Sequence, residues 1–273
     1  MKAIVNCLAV LSMLLIAIPA HAVNFYDGVR APEGLYLLSY TSIYYAKDVA
    51  GGENRTELRD YGLYRTQELV RFSCYRGETC VHLFIPAGYL KIDYYNDYSI
   101  GLGDASLALG RFLPIKSVDI LPMLIGKFPT GAYDRNKRVN LGSNQFDLKP
   151  SLFLHKTLDR LSIDLAVKYS YRLVNPDTHA APQNELAVEG LLGFEFLDFI
   201  KLGPAFAWIR SDKRKYFGED TDSSLRERQS LSAGGEVYFR LEPVKLSLSW
   251  LSDVYAEHAT RVHFFQVKIV FKL

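Results

Sequence analysis

From Leu161 to Val174 apolar and polar side chains alternate without a break: Leu161, Ile163, Leu165, Val167, Tyr169, Tyr171 and Leu173 point one way, Ser162, Asp164, Ala166, Lys168, Ser170 and Arg172 the other. Strict period two marks a long strand with one apolar and one polar face. Phe146–Leu154, Leu186–Phe196, Leu231–Leu241 and Val244–Trp250 repeat the pattern. Counting such runs predicts twelve strands, near 35–46, 61–74, 80–93, 99–112, 117–133, 145–158, 161–174, 184–197, 200–216, 226–241, 244–257 and 261–273. Before residue 130 apolar residues occupy both faces, so ten or fourteen strands also fit there.

The connections come in two sizes. Asp159-Arg160, Asp198-Phe199 and Glu242-Pro243 are tight, whereas 175–183 and 211–224 are long and polar. Short turns alternating with long loops, and strands of about eleven residues or more, suit a membrane-spanning antiparallel up-and-down β-barrel better than a soluble sandwich. The final strand carries Phe265, Val267, Ile269, Phe271 and Leu273 on one face. Such an ending resembles the strand by which outer-membrane barrels engage the barrel-assembly machinery, although most end in Phe. On a soluble sheet it would be an aggregation-prone edge.

The first 22 residues read as a signal peptide: Lys2, an apolar run from Leu8 to Ile18, and Ala20-His21-Ala22 before the cut. The run is too short for a helical anchor. The expected domains are therefore a signal peptide over 1–22, cleaved after Ala22, and one barrel over 23–273, in the bacterial outer membrane.

Composition sharpens this. The 32 Lys and Arg against 30 Asp and Glu give no basic excess, so nucleic acid is not an expected partner. Eighteen Tyr, sixteen Phe and two Trp suit interfacial girdles, with Tyr44, Tyr45, Tyr169, Tyr171, Phe206, Trp208 and Trp250 as candidates. If the apolar faces meet outer-membrane lipid, the polar faces line a lumen. Lys149, Lys168, Arg172, Lys201, Arg240, Lys245, Lys268 and Lys272 then face Asp147, Asp164, Glu185, Glu189, Glu195, Glu236 and Glu242. Mixed signs predict salt-linked ladders and a narrow or gated passage, not an ion-selective pore. Cations in two loops, Arg135, Lys137 and Arg138, then Lys213, Arg214 and Lys215, are candidates for lipopolysaccharide phosphates.

Cys74 and Cys80 are the two cysteines beyond the signal, and their close spacing in an oxidising compartment predicts a disulfide. The sequence implies no metal site or cofactor. Neither G-x-S-x-G nor H-E-x-x-H occurs, so a lipid-modifying barrel enzyme is the weaker reading and catalytic residues are not expected. A structural or adhesive barrel is the remaining alternative.

Gly101-Leu102-Gly103-Asp104, then Pro129-Thr130-Gly131-Ala132-Tyr133-Asp134, then Asn140-Leu141-Gly142-Ser143-Asn144 form a recurring kind of segment. Together they resemble the MetA-pathway of phenol degradation family. The resemblance implies an outer-membrane channel for small hydrophobic or aromatic solutes. Gly131 lets the chain leave its strand, and Asp134 and Asn140 can hold loop amides, so this loop is expected to fold toward the lumen as a constriction.

Overall fold

The computed structural model describes residues 23–212, 215–216, 219–220 and 227–273. The signal-peptide expectation and the cations Lys213 and Arg214 lie outside those residues, as does the side chain of Lys215. Among the described residues no helix is long and apolar enough to cross a membrane, which leaves strands free to do so.

Twelve antiparallel strands close into a barrel. They are β1 (Gly34–Ala46), β2 (Leu63–Arg76), β3 (Thr79–Ile92), β4 in two segments (Asp97–Leu102 and Ser106–Arg111), β5 (Asp119–Lys127), β6 (Asp147–Leu158), β7 (Leu161–Arg172), β8 (Glu185–Leu197), β9 (Ile200–Ser211), β10 (Arg228–Leu241), β11 (Val244–Glu257) and β12 (His263–Lys272). Each strand pairs with the next, and β1 closes the ring on β12, with Tyr36 opposite Lys272 and Tyr45 opposite His263. Closure leaves no free edge along most of the wall, as spanning hydrocarbon requires. The tight connections at 77–78, 159–160, 198–199 and 242–243 share one end, and most of the long loops crowd the other.

The predicted count of twelve matches, and the faces follow the alternation. Outward side chains are large and apolar: Leu109, Phe196, Trp250 and Phe265 stand 60%, 60%, 46% and 56% exposed. So much exposed apolar surface on every strand suits a hydrocarbon solvent, not water. Inward positions carry the charged and hydroxyl residues.

Three details differ from the sequence reading. Tyr44 is not in a girdle but points inward, where the Arg65 guanidinium lies 5.3 Å from its ring centroid. The expected fourth strand is broken at 103–105, the expected fifth ends at Lys127 instead of 133, and the expected ninth ends at Ser211 instead of 216. Above the break, Asp97–Leu102 pairs only with β3, so a seam opens there between β4 and the following strand. Finally, Cys74 and Cys80 are both free. Cys74 faces Val81 across the β2–β3 hairpin and Cys80 faces Tyr75, a one-residue offset. Side chains alternate faces, so Cys74 is exposed outside while Cys80 is buried inside, and the expected disulfide does not form.

Candidate functional site

The lumen holds the predicted charges in cross-strand pairs. Lys168 Nζ lies 2.7 Å from Glu189 Oε2, Arg172 Nη2 3.3 Å from Glu185 Oε2, and Lys127 Nζ 2.6 Å from Asp147 Oδ2. Arg240 stands 4.0 Å from Glu195 at the short-turn end. Asp164 accepts at 2.7 Å from His155, whose Nε2 is 3.0 Å from Thr157 Oγ1. Lys149 sits on the inner face of β6, and Lys245 is exposed at the mouth. In these pairs opposite charges face each other across neighbouring strands, so they are compensated where water is scarce.

Lys201, Glu236 and Lys268 do something the alternation does not announce: they hold residues 23–30, which cross the inside of the barrel. Val23 and Phe25 are 1% exposed and Asn24 2%. Glu236 accepts from Asn24 Nδ2 (2.8 Å) and from the Phe25 amide (3.0 Å), and also from the hydroxyls of Ser247 and Ser249. Lys268 Nζ donates to Phe25 O (3.2 Å) and to Asp27 Oδ1 (2.7 Å). Lys201 Nζ lies 4.5 Å from the Tyr26 ring centroid, and Tyr26 packs edge-on to Tyr238 at 4.9 Å. At Gly28 an added Cβ would come within 2.9 Å of the Phe153 Cβ, so a bare backbone is needed there. Arg30 anchors the exit of the segment to Glu78 (2.7 Å) near the mouth.

Arg71 projects from β2 toward the same segment. Its Nη1 is 3.8 Å from Asp27, and it donates to Tyr40 OH (3.2 Å) and Ser73 Oγ (3.0 Å), with the His82 ring 3.1 Å away. Burial works against ionisation of Asp27, but Lys268 and Arg71 together hold its carboxyl below the ordinary carboxylate range. Neither Arg71 nor the 23–30 segment was visible as functional in the sequence. The segment has no period, and the β2 pattern mixes both residue classes on each face.

At the long-loop end the glycine-rich motifs come together. Asp104, in the β4 break, accepts from the Gly131 amide (2.9 Å), the Ser143 amide (2.8 Å) and Ser143 Oγ (2.6 Å). The Asp134 amide donates to Asn140 Oδ1 (2.8 Å), and Asn140 Nδ2 donates back to Asp134 O (3.1 Å). Gly103, Gly131 and Gly142 stack backbone on backbone. A Cβ on Gly131 would meet Gly103 C at 2.6 Å, and one on Gly142 would meet Gly131 C at 2.6 Å. Pro129 and Tyr133 flank this stack, and Asn144 takes a left-handed φ of 51° as the chain returns to β6. The Ala132 amide bonds Leu102 O, and the Leu141 amide bonds the inward hydroxyl of Ser99 (3.3 Å). Loop residues 131–142 therefore cover the seam beside β4, and Val139 is fully buried.

Among the described residues no group of His, Cys, Asp and Glu is placed to hold a metal ion. The Thr157–His155–Asp164 contacts have the spacing of a nucleophile, base and orienting acid. The surrounding backbone is engaged in the β6–β7 ladder, with Thr157 opposite Ser162.

The fold is shared with solved membrane barrels. The COG4313 outer membrane channel from Pseudomonas putida F1 superposes with a TM-score of 0.81 at 15% identity, covering 92% of this chain and 100% of that one. The translocator domain of the autotransporter NalP from Neisseria meningitidis gives 0.54 at 12%, over 89% and 90%, and the NanC porin 0.51 at 10%, over 87% and 100%. A search of curated proteins finds no match. The barrel thus has the fold of outer-membrane channels and porins. The model of the family "Putative MetA-pathway of phenol degradation" matches residues 61–269, most of the length, and the chain belongs to that family.

Proposed function

We propose that this barrel is a gated outer-membrane channel for passive uptake of small hydrophobic or aromatic solutes, shut at rest by its own N-terminal segment. The observation that carries this reading is the seating of residues 23–30 across the lumen on Glu236, Lys268 and Arg71. A barrel serving only as a brace could fill its interior with wall side chains. A detachable segment held by hydrogen bonds and ion pairs supplies an element with two positions, which a gate requires.

On this reading the signal peptide is removed after Ala22, and the short-turn end faces the periplasm. Loop 128–146 narrows the outer mouth, where Lys137 Nζ and the Arg138 guanidinium each lie 5.4 Å from a ring centroid, those of Tyr98 and Tyr95. With Arg135 these cations form the surface suited to lipopolysaccharide phosphates. The C-terminal strand β12 is the part suited to the barrel-assembly machinery.

The test compares the full mature chain with a variant lacking residues 24–30, both refolded to heat-modifiable gel mobility. The variant should conduct in planar bilayers and speed entry of a small aromatic tracer into liposomes. Equal, negligible permeability in both would overturn the proposal.

A further inference from the structure

Glu68 does not face the lumen. On β2 the inward positions are the odd-numbered ones, from Leu63 through Arg71 to Tyr75, which places Glu68 on the outer wall. It stands opposite Thr41 on β1 and Ala87 on β3. Counting from the middle of β2, at about 3.3 Å per residue and a tilt of ~45°, its height is within about 4 Å of the strand's midpoint. Four residues away on either side along the same face are Tyr64 and Phe72, 42% and 44% exposed. A carboxylate in the middle of an apolar, lipid-facing wall is costly and marks a functional position by default.

Its immediate surroundings are built to hold it. Thr41 Oγ1 donates to Oε2 at 2.6 Å, and Ser39 Oγ donates to Oε1. Both hydroxyls come from outward positions of β1, so three polar residues form one node across two strands. A carboxylate offers about four lone-pair positions, and these hydroxyls use two. On the other side Glu68 faces the small Ala87 and stays partly exposed, and Ala87 itself pairs with Leu102 of β4.

We propose that Glu68, Ser39 and Thr41 form a binding site on the lipid-facing wall for a small membrane-dissolved molecule bearing a neutral hydroxyl, an alcohol or a phenol. The carboxylate accepts the hydroxyl hydrogen, while Tyr64, Phe72 and the bilayer accommodate the apolar body. An ionised ligand is disfavoured because it would not dissolve in hydrocarbon. The inference deepens the channel reading and rests on it, since it gives such solutes a holding point on the wall, with β3 and β4 between it and the seam.

The test uses the full mature chain in lipid nanodiscs, with 4-fluorophenol and 4-fluoroanisole followed by fluorine NMR line broadening. Glu68→Leu and Glu68→Gln are first checked for heat-modifiable mobility. Glu68→Leu should weaken 4-fluorophenol binding about tenfold, as expected on losing a hydrogen bond to a charged acceptor. Glu68→Gln should lie between, and 4-fluoroanisole should not change. Equal 4-fluorophenol binding by wild type and Glu68→Leu would overturn the proposal, as would a cross-linkable dimer that Glu68→Leu dissolves. Liposome uptake of 4-fluorophenol is measured separately. Uptake through the wild type with Glu68-independent binding removes the wall site and leaves the channel, whereas Glu68-dependent binding without uptake does the reverse.

Discussion

The carboxylate of Asp27 lies 2.7 Å from the ammonium of Lys268, although 241 residues separate them in the chain. One belongs to the segment crossing the lumen, the other to the last strand of the wall. With Arg71 at 3.8 Å on the opposite side, Asp27 sits between two cations. Asp27→Asn leaves both without their counter-ion, and the expected result is a larger fraction of open time in planar bilayers. The loss should be about 1–3 kcal/mol of segment seating, below the range for a fully buried pair because the lumen admits some water. Conductance unchanged from wild type would refute the latch.

The pH dependence follows from the same contact. The folded-state pKa of Asp27 is lowered, so its contribution is complete above the ordinary carboxylate value and lost as pH falls through the lower folded value. Bilayer recordings should therefore show no Asp27-dependent opening between pH 7 and about 5, and opening only below about 4. An opening transition near pH 6 that Asp27→Asn abolishes would contradict this sign.

Glu236 gathers four donors from two parts of the chain: Asn24 Nδ2 and the Phe25 amide, then Ser247 Oγ and Ser249 Oγ. Glu236→Ala strands buried donors and should cost about 2–4 kcal/mol, whereas Glu236→Gln keeps an acceptor and should cost less. Limited proteolysis within residues 23–33 reads the difference. Protection equal to wild type in Glu236→Ala would show that the segment does not depend on this carboxylate.

The cysteines differ in surroundings. In detergent, an apolar maleimide should label Cys74 on the outer face of β2 and leave the buried Cys80 unmodified until denaturation. Gel mobility should be the same with and without reductant. A reductant-dependent shift would restore the disulfide.

At Gly131 an added methyl meets the Gly103 backbone, and neither partner can move without breaking the bonds to Asp104. Gly131→Ala is expected to displace the 128–146 loop, at a cost of about 2 kcal/mol or more. Protease sensitivity at Arg135–Arg138 gives the readout, and sensitivity equal to wild type would argue against the tight stack.

The wall was legible in the sequence because a membrane barrel imposes period two on every strand. β6 to β8 and β10 to β12 lie within two residues of their predicted bounds for that reason, while β9 stops at Ser211 instead of 216, and the inward set from Asp147 to Lys268 falls on the expected face. Where other demands override alternation, legibility ends. β1 carries Tyr36, Leu38, Tyr40 and Tyr44 inward, because they pack within the lumen, so both its faces look apolar. β4 breaks where Gly103 and Asp104 receive the loop. The cysteine spacing suggested a bridge because sequence separation does not reveal strand register, and a one-residue offset places the two thiols on opposite sides. Residues 23–30 have no repeat at all, since their partners are scattered over several strands, from Glu236 and Tyr238 to Lys268 and Arg71.

The wall position of Lys268 also ties the order of events in biogenesis to the state of the pore. β12 closes the ring against β1 and brings with it the ammonium that Asp27 needs. A half-zipped cylinder has no complete seat for the segment, and the seat is finished by the strand that completes the wall. On the proposed gating, the contact that stoppers the cylinder is therefore complete only with the strand that seals it.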